Sequence, residues 1–303
     1  MHERVARRTI ILSFDMEPDI GSWTSGARGV CEGTPEIIRA LANHGVKATF
    51  LFTGREALNH PEIVEAVLSD GHEIGCHTMY HENVGDPVYE TPFANFVLDN
   101  EVHGRLELAT ETVQRVAGVR PVSFRAPRLF GSAAMVTALD ELGYVADSSF
   151  PAYFHGRSFL PYHPSREDWS ADGDLAILEI PPFFDVRAGE DDSKNRTRDQ
   201  WPVLRAKGAE EFGDLCRDML GEVTDANGDS VICVYLHPWE FVEMPETVES
   251  DEVTLIFKPF LHVNTGPFAV EALDRFIGLM RRDGVEFATM RDYAAGFPGA
   301  ADG

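Results

Sequence analysis

The most pointed chemical signal in this chain of 303 residues is a pair of histidines, His77 and His81, within HTMYH. At this spacing two imidazoles on a helical turn share one face and can grip one metal ion. A carboxylate from elsewhere would complete a set of three ligands with a position left open, as a catalytic metal centre requires. The chain holds 11 histidines, so a pair alone also reads as two ordinary polar residues. Acids of the right kind stand at Asp15, Glu17 and Asp19 in SFDMEPD. Asp15 and Glu17 share a face if a strand runs through Met16. The same acids could simply solvate a loop. Cys76 adjoins His77 and would point the other way, as a buried structural thiol. Arg125 closes an apolar stretch in FRAPR, and a buried guanidinium normally requires a carboxylate partner. His237 follows a mostly apolar run in YLHPWE and reads as a core histidine or a reactive one.

Each of these groups falls where an apolar, strand-like run ends. Such runs cover Thr9–Phe14, Val46–Thr53, His72–Cys76, Val122–Arg125, Tyr144–Ala146, Leu175–Ile180 and Val231–Leu236, with a last one at Glu286–Thr289. Helical patterns alternate with them: from Thr34 as N-cap with Pro35 behind it to Gly45, Pro61–Ser69, Phe93–Val116, Ser132–Gly143, Gly208–Leu220 and Pro267–Arg282. Buried strands alternating with helices predict a parallel sheet covered by helices. About seven such strands predict a distorted (β/α) barrel of the α/β class. In barrels the reactive groups sit at the C-terminal ends of the strands. Residues 151–174, 185–206 and 238–265 break the rhythm and are expected to form binding loops. Without a linker or internal repeat, 1–303 reads as a single catalytic domain.

The charge balance narrows the partners. Fifty acids against 26 Lys and Arg leave a net charge of −24. Such a surface repels phosphate backbones and anionic membranes, so neither nucleic acid nor membrane is an expected partner. Many acids with few lysines is the composition of proteins from a high-salt cytoplasm, and the chain is read as halophilic. Four cysteines without a CxxC pair form neither a disulfide framework nor a zinc ribbon. The start of the chain has no apolar signal-peptide core, and a cytoplasmic location is expected. Oligomeric state is not legible.

Taken in order, SFDMEPD, HTMYH, RAPR, DSS and LHPWE resemble the motifs of the polysaccharide deacetylase family (carbohydrate esterase family four, the chitooligosaccharide deacetylase homology domain). GVKATFLFTG and GHEIGCHT between them are similar as well. The resemblance implies a metal-dependent amide hydrolase on a distorted barrel, acting on N-acetylated sugars or glycans. It makes Asp15 the catalytic base and His77 and His81 metal ligands of a divalent ion, with zinc expected. Arg125 would orient the base, and His237 would be the general acid. Asp147 would tune that histidine, and Leu236 and Trp239 would wall the pocket. The family's adjacent Asp-Asp is here Asp15-Met16, and Met offers no hard oxygen ligand. In a subset of relatives the second acid lies two residues on, and by that resemblance Glu17 is expected as third ligand, with Asp19 in reserve. An aromatic residue often follows the R-x-P of the family, and here Arg128 stands there. Its backbone N–H is expected in the oxyanion hole, and its side chain would select an anionic or hydroxyl-rich substrate. Two other readings remain: a cyclic amide or ureide hydrolase of the allantoinase type, and a carbohydrate-binding relative without catalysis.

The charge reading makes a direct test. Raising potassium chloride from about 0.1 M to about 2 M should raise the melting temperature, because the Debye length shrinks to a few ångströms and acid–acid repulsion is screened. A flat or falling melting temperature would refute it.

Overall fold

The computed structural model describes residues 6–21, 23–88, 96–152, 159–184, 203–249 and 252–297. Seven strands follow the chain in order: β1 (Arg8–Met16), β2 (Thr49–Phe52), β3 (Glu73–Cys76), β4 (Ser123–Phe124), β5 (Ala146–Asp147), β6 (Leu178–Glu179) and β7 (Ser230–Leu236). Each pairs in parallel with the next from β1 to β6, and β7 pairs in parallel with β1. Beyond β6 the chain meets β7 at one parallel bridge, Pro182 to Cys233, where Phe183 N–H donates to the Cys233 carbonyl at 2.9 Å. The result is the expected distorted (β/α) barrel. Two-residue strands at β4, β5 and β6 make one side irregular. Two antiparallel strands, β8 (Thr247–Glu249) and β9 (Thr254–Ile256), form a separate hairpin, and β10 (Glu286–Ala288) lies beside Thr9–Ile11 of β1.

Alternation along β1 and β7 builds two layers. Ile10, Leu12, Phe14 and Met16 join Ile232, Val234 and Leu236 in the core beneath the helices. Ile11, Ser13 and Asp15 take the opposite face, as do Cys233 and Tyr235. The helical layer is α1 (Thr34–Asn43), α2 (Gly54–Asn59), α3 (Pro61–Ser69), α4 (Asp99–Ala117), α5 (Ala133–Glu141), α6 (Val203–Glu222), the single turn α7 (Pro259–His262), α8 (Pro267–Arg282) and the short α9 (Met290–Ala295). Thr53 and Ser132 cap α2 and α5, each accepting from the N–H three residues on at 3.2 Å.

Several expectations shift. Thr34 is no cap: a π-helical turn over Gly29–Gly33 runs straight into α1. The cause is tertiary. A Cβ on Gly29 would stand 2.2 Å from the Trp239 nitrogen, and one on Gly33 2.2 Å from the Pro238 carbonyl oxygen. The two glycines let this turn press against the chain leaving β7. The α6 helix begins before Gly208 and kinks there, at φ +80°. Phe93, the expected helix start, and 185–202 of the second irregular stretch lie outside the described residues. The third irregular stretch holds the β8–β9 hairpin.

Replacing Gly29 with Ala should force the turn off the Trp239 backbone. A loss of about 1–3 kcal/mol, the ordinary cost of overpacking, is expected in urea unfolding. Unchanged stability would mean that the approach is not tight.

Candidate active site

Asp15 and Glu17 emerge from the C-terminal end of β1 on the same side, both buried, while Met16 turns into the helix-facing core. The strand therefore runs through Met16, as alternation required. Asp19 goes elsewhere: its carboxylate accepts from the Arg28 and Gly29 backbone N–H groups at 3.0 and 2.8 Å and anchors the π-helical turn. Glu17 is the acid that meets the histidines. Its Oε2 touches His81 Nε2 and lies 3.6 Å from His77 Nε2.

The histidines reach that carboxylate by a different route from the one their spacing predicts. Residues 77–82 form a bend after β3 and not a helical turn. Thr78 and His81 hold φ of +64° and +62°, which residues with a Cβ rarely adopt. The N–H groups of Gly54 and Arg55 at the start of α2 clamp the bend by donating to the Thr78 and Met79 carbonyls, both at 2.9 Å. Such backbone costs of order 1–3 kcal/mol per residue and gathers at functional sites.

The donor chemistry fits a metal ion. His77 Nδ1 lies 2.7 Å from the Arg125 carbonyl oxygen, which can only accept. The proton is therefore on Nδ1, and in the neutral ring Nε2 turns a lone pair toward a carboxylate oxygen. Two acceptors facing each other in a buried site call for a cation between them. One ligand atom from each of Glu17, His77 and His81 lies within 4.8 Å of the others. Two nitrogens and one oxygen suit a divalent ion such as zinc. Burial pushes the Glu17 carboxyl up, but the charge of His81, the hydrogen bonds of His77 and His81 and the charge of His237 together outweigh it and hold it well below the usual range. Burial lowers the His81 imidazole.

Arg125 sits fully buried inside the barrel. Its Nη1 donates to Asp15 Oδ1 at 2.8 Å and to Ser13 Oγ at 2.9 Å. Its Nε and Nη2 donate to the Ser148 carbonyl and hydroxyl at 2.8 and 2.9 Å. The guanidinium also lies over the Tyr235 ring, 5.3 Å from its centre. The carboxylate partner expected of a buried arginine is Asp15.

His237 closes the other side. Its Nε2 lies 4.0 Å from Asp15 Oδ2 and 3.8 Å from Glu17 Oε1. Its Nδ1 lies 3.0 Å from Glu240 Oε1, and the other Glu240 oxygen accepts from Arg205 Nε at 2.6 Å. Arg205 is itself fixed by the Val263 and Phe260 carbonyls at 2.7 and 3.0 Å. Burial pulls the imidazole down, but Glu240, Glu17 and Asp15 outweigh it, so its pKa is raised. Glu240 thus takes the place expected of Asp147. Asp147 is buried at β5, hydrogen-bonded to Ser149 and Glu179, and burial raises its pKa to about 6. Glu240 and Arg205 escaped the sequence reading. An acid three residues after the histidine in HPWE was the available signal, while Arg205 is distant in sequence and carries no motif. Trp239 stacks on His237 with ring centres 5.4 Å apart. Leu236, expected at the pocket wall, packs in the helix-facing core. Arg128, half-buried, donates to Asn83 Oδ1 at 3.1 Å.

Residues 2–146 match the family model described as polysaccharide deacetylase. That match covers just under half of the chain. A peptidoglycan-N-acetylglucosamine deacetylase of Bacillus cereus is 34% identical over 118 residues, which are 39% of this chain and 35% of that protein. The alignment therefore spans about a third of the length of that relative. Among solved structures, a Mycobacterium smegmatis protein assigned as a polysaccharide deacetylase superposes with a TM-score of 0.62 at 22% identity, covering 95% of this chain and 88% of that one. An allantoinase superposes with a TM-score of 0.61 at 16% identity, covering 96% and 90%. At these identities both share the fold with this chain, and the fold alone does not fix the chemistry. Among the described residues no helix is long and apolar enough to cross a membrane.

Replacing Arg125 with Leu would strand the Asp15 carboxylate without its buried partner. A loss of roughly 3–5 kcal/mol is expected in chemical denaturation. A loss below about 1 kcal/mol, the size typical of a surface pair, would show that the Arg125–Asp15 pair contributes little.

Proposed function

We propose that this chain is a divalent-metal-dependent hydrolase that removes N-acetyl groups from N-acetylated sugars or glycans, with 1–303 acting as one catalytic domain. The observation that carries this reading is the convergence on one point of three elements: the Glu17, His77, His81 donor set, Asp15 on one side and His237 on the other. The match of residues 2–146 to the polysaccharide deacetylase family model and the similarity to a peptidoglycan-N-acetylglucosamine deacetylase support the same chemistry.

Glu17, His77 and His81 would hold the ion, with zinc the fitting choice. The chemistry such an ion supplies is Lewis acidity at the amide carbonyl and acidification of water. Asp15 takes the proton of the attacking water. Arg125 holds Asp15 in place through the 2.8 Å bond and favours its anionic form. His237 Nε2 donates a proton to the departing amine, and Glu240 orients the ring by accepting from Nδ1. The raised pKa of His237 suits that role, since it keeps more of the acid form at neutral pH. The backbone N–H at the left-handed Arg128 is the candidate oxyanion donor. Acetate and a free amine leave. The four free cysteines favour a reducing compartment.

Acetate release from N-acetylglucosamine oligomers, run beside ring opening of allantoin, separates the deacetylase reading from a ureide hydrolase. His237→Ala should reduce turnover by about 10²–10⁴-fold while zinc content, read by mass spectrometry, stays near one per chain. His81→Ala should lose both zinc and turnover. A purified protein that binds no zinc, or a His237→Ala variant with full activity, sinks the assignment.

A further inference from the structure

Arg128 stands out among the arginines around this site. Arg125 pairs with Asp15, and Arg205 pairs with Glu240. Arg128 is half-buried beside His81, yet no carboxylate among the described residues lies within ion-pair distance of it. Its Nη1 donates to Asn83 Oδ1 at 3.1 Å and lies 3.5 Å from His81 Nδ1. Nε and Nη2 have no hydrogen-bond partner among the described residues. The other two arginines at this site, both fully buried, each have an acid. A guanidinium partly withdrawn from water loses hydration that only an anion or several acceptors can replace.

The backbone beneath it is equally unusual. Arg128 and Leu129 adopt φ of +57° and +62° in succession, although neither is glycine. The 3.1 Å bond to Asn83 then fixes one edge of the guanidinium. The free edge offers paired donors in the planar geometry that matches a carboxylate or a phosphate. A divalent ion on Glu17, His77 and His81 would add a second positive charge close by. An anion against Arg128 would offset both.

We propose that Arg128 is a specificity-determining residue, and that its guanidinium receives an anionic substituent, carboxylate or phosphate, carried by the acetylated substrate. This inference rests on the amide-hydrolase reading of the neighbouring groups and adds the class of molecule on which they act.

The test uses matched sugars that differ by one anion. N-acetylglucosamine is the neutral parent, N-acetylmuramic acid adds a carboxylate, and N-acetylglucosamine 6-phosphate adds a phosphate. Binding to metal-free and zinc-loaded protein is read by calorimetry at fixed ionic strength, and kcat/KM by acetate release. One anionic sugar should be preferred over the parent by about tenfold or more, the range of a charge-assisted hydrogen bond, and Arg128→Gln should bring that ratio to within about twofold. Arg128→Lys, which keeps the charge, should retain part of the preference. Identical ratios in wild type and Arg128→Gln overturn the proposal, as does a wild type that favours neither anion. Arg128-dependent binding of an anionic sugar without acetate release would instead remove the hydrolase reading and leave the anion site standing. Acetate release from the parent with no dependence of the ratio on Arg128 would do the reverse.

Discussion

A single buried guanidinium ties this site together. Arg125 is withdrawn from solvent at the end of β4, where an unpaired charge would be very costly. Its donors bind Asp15 and Ser13 on β1 and the carbonyl and hydroxyl of Ser148 after β5. Its own carbonyl accepts the His77 Nδ1 proton. One residue therefore fixes the proposed base by charge and the tautomer of a proposed ligand by its backbone. The barrel closes around it at the Pro182–Cys233 bridge, and Cys233 Sγ lies 3.4 Å from Nη2.

The two sides of the site are held by different means. On the histidine side, the bend bearing His77 and His81 holds left-handed backbone at Thr78 and His81, and the first turn of α2 grips its carbonyls. On the other side, His237 is held by a relay of charge, Glu240 and then Arg205, that ends on backbone carbonyls. The relay meets Nδ1, while Nε2 faces Asp15 and Glu17, so it can orient the imidazole from the nitrogen that those carboxylates do not face. Buried polar chains of this type hold geometry only when each member is satisfied. Arg205 meets this requirement with three acceptors, one for each guanidinium nitrogen.

The acidic surface and the site pull in opposite directions. A net charge of −24 disfavours approach of an anion from solution. Around Glu17, His77 and His81 the balance is local: the acids there are matched by imidazoles and guanidinium groups. Arg128 is the cation left over. Selectivity of the kind inferred for it depends on this short-range excess, which salt screens less than the long-range field because the group is half-buried.

The sequence by itself determined the barrel and most of its reactive groups. Apolar runs such as Val231–Leu236 have one stable destination, a strand covered on both faces, and a polar residue that ends such a run must lie at the rim. That is why Asp15, Arg125 and His237 could be read as neighbours though far apart in the chain. Alternation through Met16 likewise put Glu17 on the face of Asp15, and the spacing of the acids in a subset of the family singled it out over Asp19. Tertiary structure decided the rest. The spacing of His77 and His81 suggested a helical turn, but the clamp from α2 imposes a bend, a constraint that no local pattern records. Thr34 looked like a cap until Gly29 and Gly33 met the Trp239 and Pro238 backbone. Glu240 displaced Asp147 beside His237 because the 3₁₀ turn over Pro238–Phe241 folds the acid back onto the ring, while the β5 register pairs Asp147 with Glu179. Burial period and strand ends are local properties of a chain, whereas the partner that a buried charge selects depends on which elements pack against it.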